Sequence, residues 1–115
     1  MPKTIALLHP GDMGSGMGSA LVAAGHTVYC ALNGRSETTR RRASDAKLID
    51  AGTLQSAVAQ AQVVLSVCPP HGALELAREV AQCGFKGLFI DANAIAPATA
   101  RMAAMDLQDA GATFV

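Results

Sequence analysis

Apolar residues gather along this chain in short runs separated by longer, Ala-rich segments of mixed polarity. The runs at Thr4–Leu8, Thr27–Leu32, Val63–Val67, Gly87–Asp91 and Ala112–Val115 are predicted to be strands, with a further short strand at Lys47–Ile49. Between them, helices are predicted at Met13–Ala24, Glu37–Ala43, Leu54–Ala61, His71–Gln82 and Pro97–Asp109. Ala24-Gly25 and Ala110-Gly111 read as helix stops, because glycine accepts the left-handed conformation that closes a helix. Pro97 reads as a helix start, where its fixed φ and missing N–H do no harm. The runs "VVLSV" and "GLFID" are continuous rather than alternating, the pattern of strands buried on both faces. A strand-helix alternation of this kind predicts a Rossmann-like, doubly wound parallel sheet in three α/β/α layers.

The end of the first run raises a chemical question. In a dinucleotide-binding βαβ unit the first strand ends in a tight glycine turn, and the next helix aims its N-terminal N–H groups at the pyrophosphate. On the G-x-G-x-x-G spacing this sequence places His9, Gly11 and Gly14 at the three glycine positions. Gly11 would let the backbone approach the phosphates, and Gly14 would let the helix lie close to the sheet. Pro10 pre-sets φ for a turn, and the residue before a proline is expected in a β or polyproline conformation, which assigns that conformation to His9. Gly14, Gly16 and Gly18 together also fit tight helix–sheet packing without any ligand. A Walker loop is excluded here, since no lysine lies between Lys3 and Lys47, and a Gly-x-Ser-x-Gly elbow is absent.

A second element supports the nucleotide. Nineteen positions past Gly14, at the tip of the second strand, the sequence reads "LNGRSETTRRR". A carboxylate at this place binds the ribose 2′-hydroxyl of NAD, whereas a nearby arginine accommodates the 2′-phosphate of NADP. Asn33 stands in the carboxylate's place, Arg35 can pair with a phosphate in bidentate fashion, and Ser36 can add a hydrogen bond while capping the next helix. NADP is therefore the expected cofactor. Arg40, Arg41 and Arg42 fall inside that helix, where at most one or two turn toward the same phosphate and the others form a solvated basic face.

The stretches "HPGDMG", "AAGHTV", "NGRS", "VVLSVCPP" and "DANAIAPATAR", in this order, resemble the NADP-binding domain of the 6-phosphogluconate dehydrogenase and β-hydroxyacid dehydrogenase superfamily, which includes 3-hydroxyisobutyrate dehydrogenase. The resemblance implies that Gly11, Asp12, Met13 and Gly14 cradle the pyrophosphate through main-chain N–H groups. Met13 would lie on the nicotinamide side of the turn or be the first core residue of its helix. Cys68, Pro69 and Pro70 match the stretch that runs along the cofactor's ribose and nicotinamide. Asn93 matches a position that holds the substrate carboxylate, with the alternative that it caps a turn, and Ala94 departs from the hydroxylated residue found there. The resemblance also implies a catalytic lysine and an all-helical, dimer-forming domain that follow in sequence; Lys3, Lys47 and Lys86 sit at none of the matching positions. Residues 1–115 are thus expected to be the N-terminal cofactor domain of a larger, homodimeric oxidoreductase acting on a small hydroxy acid or a related carbonyl or imine compound. A stand-alone dinucleotide-binding or sensory module without catalysis is the alternative.

Composition narrows the picture in two respects. Nine Lys and Arg balance nine Asp and Glu, so no net field draws the domain to nucleic acid or an anionic membrane, and no apolar run approaches a bilayer span. The three cysteines, Cys30, Cys68 and Cys83, lack C-x-x-C spacing, which suggests neither zinc nor a disulfide framework and fits a reducing cytoplasm.

Overall fold

The computed structural model describes residues 2–67, 70–93 and 97–115. Among the described residues, six strands form one sheet: β1 (Thr4–Leu8), β2 (Thr27–Cys30), β3 (Ile49–Asp50), β4 (Val63–Ser66), β5 (Leu88–Asp91) and β6 (Thr113–Phe114). Five α-helices connect them: α1 (Asp12–Ala23), α2 (Glu37–Asp45), α3 (Leu54–Ala59), α4 (Ala73–Gln82) and α5 (Pro97–Asp109). A 3-10 turn, Pro70–Gly72, precedes α4 where a continuous helix from His71 is expected. The strand order is β3-β2-β1-β4-β5-β6 and every pairing is parallel. This is the doubly wound order, and it reverses direction between β1 and β4.

The alternation of side chains across β1 divides the core. Ala6 and Leu8 point to one face, where they meet Ala57 and Val58 of α3, Ala77 and Val80 of α4, and Ala103 and Leu107 of α5. Ile5 and Leu7 point to the other, against Leu21 and Val22 of α1 and Leu48. Both faces of the central strands are covered, which is why those runs are continuously apolar. Phe89 is fully buried and stacks on Phe114 of β6 with ring centroids 5.8 Å apart, so the short outer strand is held by an aromatic contact as well as by its ladder.

Local signals set the helix ends. Ser36 and Thr53 cap α2 and α3 by accepting hydrogen bonds from the N–H groups of Thr39 (3.2 Å) and Ser56 (3.1 Å). Gly25 and Gly111, at φ 97° and 102°, carry the chain out of α1 and α5 as expected of helix-stop glycines. Strands β2 and β4 end earlier than predicted. After Cys30 the chain leaves the sheet because a turn closes from the Arg35 N–H to the Leu32 carbonyl (3.0 Å), with Gly34 at φ 76°.

Candidate dinucleotide site

The carboxyl ends of β1 and β2 carry most of the residues that the sequence singled out. Leu8 leads into His9, whose φ is 63°. The expected β or polyproline conformation is wrong here: the chain must reverse sharply to feed α1, and the fold takes a left-handed residue where the fingerprint has its first glycine. That conformation costs a non-glycine residue about 1 kcal/mol or more. The turn around Pro10 does form, with the Gly11 N–H donating to the His9 carbonyl at 2.8 Å and the Pro10 ring fully buried.

Gly11 is the N-cap of α1, extended at φ −76° and ψ −160°, and its carbonyl accepts the first helical bond, from the Ser15 N–H at 2.8 Å. The N–H groups of Asp12, Met13 and Gly14 therefore precede the intrahelical ladder and point out of the helix N-terminus, the arrangement that receives a pyrophosphate. A Cβ at Gly14 would lie 2.7 Å from the His9 carbonyl oxygen and 3.8 Å from that of Val67. The glycine at position 14 thus lets α1 approach the turn that leaves β1, where the spacing predicts an approach to the sheet. Gly18 serves the packing, its missing Cβ leaving room for Leu48 and Leu7, while Gly16 faces open space. Met13 is 71% exposed, which removes the core alternative for it and leaves its side chain at the mouth of the turn.

At the second strand, the Arg35 guanidinium reaches back to β1 and meets the His9 Nδ1 at 3.3 Å. Arg40 is turned inward as well, its guanidinium donating to the carbonyls of Leu32 (2.7 Å) and Arg35 (3.4 Å), so it braces the loop. Arg41 and Arg42 are exposed, as a solvated face requires. Asn33 donates its N–H to the Gly52 carbonyl at 3.0 Å, and its side chain lies beside Gly52. Asp50, which the sequence reading left outside its short third strand, proves to be the anchor of this corner. One carboxylate oxygen accepts from the N–H groups of Leu32 (3.2 Å) and Gly52 (2.8 Å). The signal that could have found it is the strand-ending "IDAG" turn.

Electrostatics follow this geometry. Burial and then the neighbouring Arg35 charge hold the His9 imidazole below its ordinary value, so it is disposed to stay neutral. The buried Cys30 thiol is pushed up to about 11, by burial first and by Asp50 second, with Arg35 opposing. Cys30 is thus an inert packing residue rather than a nucleophile. A cleft of about 330 Å³ opens between these loops, lined by Leu8, His9, Asn33, Arg35, Leu54 and Leu76 among others. Its volume and apolar floor suit the nucleoside half of a dinucleotide, and its charged lining residues are Arg35 and Glu79.

Farther along the sheet, Cys68, Pro69 and Ala94 lie outside the described residues, and Pro70 opens the 3-10 turn. Asn93 is tied down at the ends of β4 and β5: its N–H donates to Asp91 Oδ1 (2.7 Å) and its Nδ2 to the buried Ser66 hydroxyl (3.0 Å). Asp91 thus caps the turn that leaves β5, and the turn before Pro97 that Asn93 is alternatively expected to cap lies outside the described residues. The structure brings together His9, Pro10, Gly11, Asp12, Met13, Gly14, Asn33, Arg35 and Ser36 around the ends of β1 and β2, with Asn93 separate, across the switch point.

A parallel sheet with this order, a glycine-lined helix N-terminus at its switch point and a cleft beside it define a Rossmann dinucleotide-binding domain. The chain belongs to the family described as NADP oxidoreductase, coenzyme F420-dependent, whose model matches residues 4–95. Among solved structures, it is 28% identical to the 3-hydroxyisobutyrate dehydrogenase of Mycobacterium tuberculosis bound to L-serine, with a TM-score of 0.87 over 99% of this chain and 39% of that one. It is 27% identical, with a TM-score of 0.85 over 96% of this chain and 41% of the other, to a conserved protein of unknown function described as structurally similar to 3-hydroxyacid dehydrogenases. An imine reductase from Myxococcus stipitatus in complex with NADP+ shares the fold at 21% identity and a TM-score of 0.81, over 96% of this chain and 39% of its own. The chain thus spans about two fifths of the length of each of these proteins. No curated protein is similar enough in sequence to match it. Among the described residues, no helix is long and apolar enough to cross a membrane, and no cluster of His, Cys, Asp or Glu could hold a metal ion.

Proposed function

We propose that this domain binds NADP(H), with Arg35 on the 2′-phosphate, as the cofactor domain of a homodimeric cytoplasmic oxidoreductase acting on a small hydroxy acid or a related carbonyl or imine compound. The observation that carries the reading is the end of β2, where Asn33 replaces a repelling carboxylate and the Arg35 guanidinium lines the cleft beside it. The pyrophosphate would rest on the N–H groups of Asp12, Met13 and Gly14, at the positive end of the α1 dipole. Ser36 would add its hydroxyl to the 2′-phosphate while it caps α2. By the resemblance, Cys68, Pro69 and Pro70 would run along the cofactor's ribose and nicotinamide, and Asn93 would hold the substrate carboxylate. When bound, the cofactor supplies hydride chemistry at its nicotinamide ring. The described residues of this chain bind and orient it, and the proton donor belongs to the wider protein.

Equilibrium titration of the purified chain with NADPH and NADH at fixed, moderate salt tests the reading. Charge-assisted hydrogen bonds of this type contribute about 1.5–3 kcal/mol, so NADPH should bind roughly ten- to a hundredfold more tightly than NADH. Arg35→Ala should remove most of that preference. Equal affinities for the two nucleotides in the parent chain would refute the assignment.

A further inference from the structure

His9 occupies a backbone position that glycine would fill without strain, yet the chain holds a histidine there at φ 63°. Something must favour the side chain. Its ring makes two contacts: Nδ1 meets the Arg35 guanidinium at 3.3 Å, and Cδ2 and Nε2 lie over Gly11, each 3.3 Å from where a Cβ would stand. One imidazole therefore spans from the helix N-terminus, at the pyrophosphate end, to the arginine at the tip of β2. An arginine side chain on a loop has many rotamers, and fixing one of them in advance raises affinity for whatever that rotamer binds.

We propose that His9 is a positioning residue for recognition of the 2′-phosphate: its neutral imidazole accepts a hydrogen bond from Arg35 and holds the guanidinium over the carboxyl end of β2, ready for a phosphate. The inference rests on the NADP(H) reading above and extends it, by giving the side chain at the first glycine position a part in cofactor selectivity. The acceptor role requires the neutral ring, with its proton on Nε2. Facing groups agree with that state. Burial and then the Arg35 charge disfavour the imidazolium, while the Asp50 carboxylate is taken up by the Leu32 and Gly52 N–H groups and Glu79, which lines the same cleft, makes no hydrogen bond to the ring among the described residues. Arg40 adds to the same end by holding the Leu32 and Arg35 carbonyls, so Arg35 is held through its main chain as well as its side chain.

The test is a double-mutant cycle read as the ratio of NADPH to NADH affinity, with far-ultraviolet circular dichroism and a thermal melt to verify folding. His9→Gly restores the fingerprint glycine and relieves the backbone. It should lower the selectivity ratio about tenfold in the parent background and less than twofold in an Arg35→Ala background, because His9 acts through Arg35. His9→Asn tolerates a left-handed backbone and keeps an acceptor near the Nδ1 position, so it should retain selectivity within about threefold of the parent. An equal loss from His9→Gly in both backgrounds, or no loss in the parent, overturns the positioning role while leaving the NADP(H) reading intact. A parent chain that does not discriminate, or in which Arg35→Ala changes nothing, overturns that reading and this inference with it.

Discussion

Two alanine substitutions on one helix should move stability in opposite directions. Gly14 and Gly16 both lie in α1, two residues apart, and helix propensity favours alanine over glycine at either by about 1 kcal/mol. They differ in what a Cβ would meet. At Gly16 there is nothing within 4 Å, and the residue is exposed. Gly16→Ala should therefore stabilise the chain by up to about 1 kcal/mol, partly by restricting the unfolded state. At Gly14 the new methyl would stand 2.7 Å from the His9 carbonyl oxygen, a main-chain atom in a turn already fixed by the buried Pro10. Ordinary contact begins near 3.4 Å, so the helix or the turn must retreat by about 0.7 Å. Overpacking against fixed neighbours costs roughly 1–3 kcal/mol, which exceeds the gain in propensity. Gly14→Ala should come out destabilised by up to about 2 kcal/mol, and because the propensity gain is common to both, the two variants should differ by about 1–3 kcal/mol. For a domain of this size that difference is roughly 4–12 °C in Tm. Urea unfolding of the parent and both variants, followed by circular dichroism, measures it. Two variants that shift the midpoint equally, in either direction, would refute the claim that the glycine at position 14 is required by the approach of the helix to the turn.

Ser36→Ala removes the acceptor for the Thr39 N–H and should destabilise the chain by about 1 kcal/mol in urea unfolding, whereas Ser36→Asp should restore most of the loss by capping the same group. Arg40→Ala leaves the Leu32 carbonyl without its guanidinium donor; the side chain is only partly buried, so a loss of about 1 kcal/mol is expected, together with weaker NADPH binding as the Arg35 loop loosens. The pH dependence of stability should carry the signature of His9. Because burial and Arg35 depress its folded pKa below 6.5, the native state resists protonation that the unfolded chain accepts. The stabilisation from neutral His9 is complete above about pH 6.5 and is lost as pH falls through the lower, folded value. Urea midpoints measured from about pH 7.5 down to about pH 5.5 should fall more steeply in the parent than in His9→Asn. Parallel curves would contradict a depressed imidazole.

Much of the fold was legible in the chain because it is written in local terms. Continuous apolar runs marked the central strands, Gly25 and Gly111 marked helix ends by the left-handed conformation they alone accept cheaply, and Pro97 marked a helix start. The candidate site was legible in part, since Gly11 and Gly14 at the end of the first strand and Arg35 at the end of the second follow from spacing. Element ends were less so. The helix expected from His71 became a 3-10 turn followed by α4, and α2 runs on to Asp45. Periodicity measures burial, and burial changes little over the last turn of a helix.

What the amino-acid sequence determined by itself is the doubly wound frame and the location of its candidate ligand-binding edge, since both follow from alternation and spacing that each segment carries alone. The tertiary structure decided how the edge is built. Local preference sends a residue before proline to extended backbone, but His9 is left-handed because the strand must turn into α1, with its ring placed between Arg35 and Gly11. Asp50 became the anchor of the β2 corner because pairing of β3 with β2 carries its carboxylate to Leu32 and Gly52. Met13 was left exposed at the turn by the rotation of α1, which buries Gly14 and Gly18 instead. Each of these depends on atoms far apart in the chain, and contacts of that kind exist only once the sheet has brought the strand ends together.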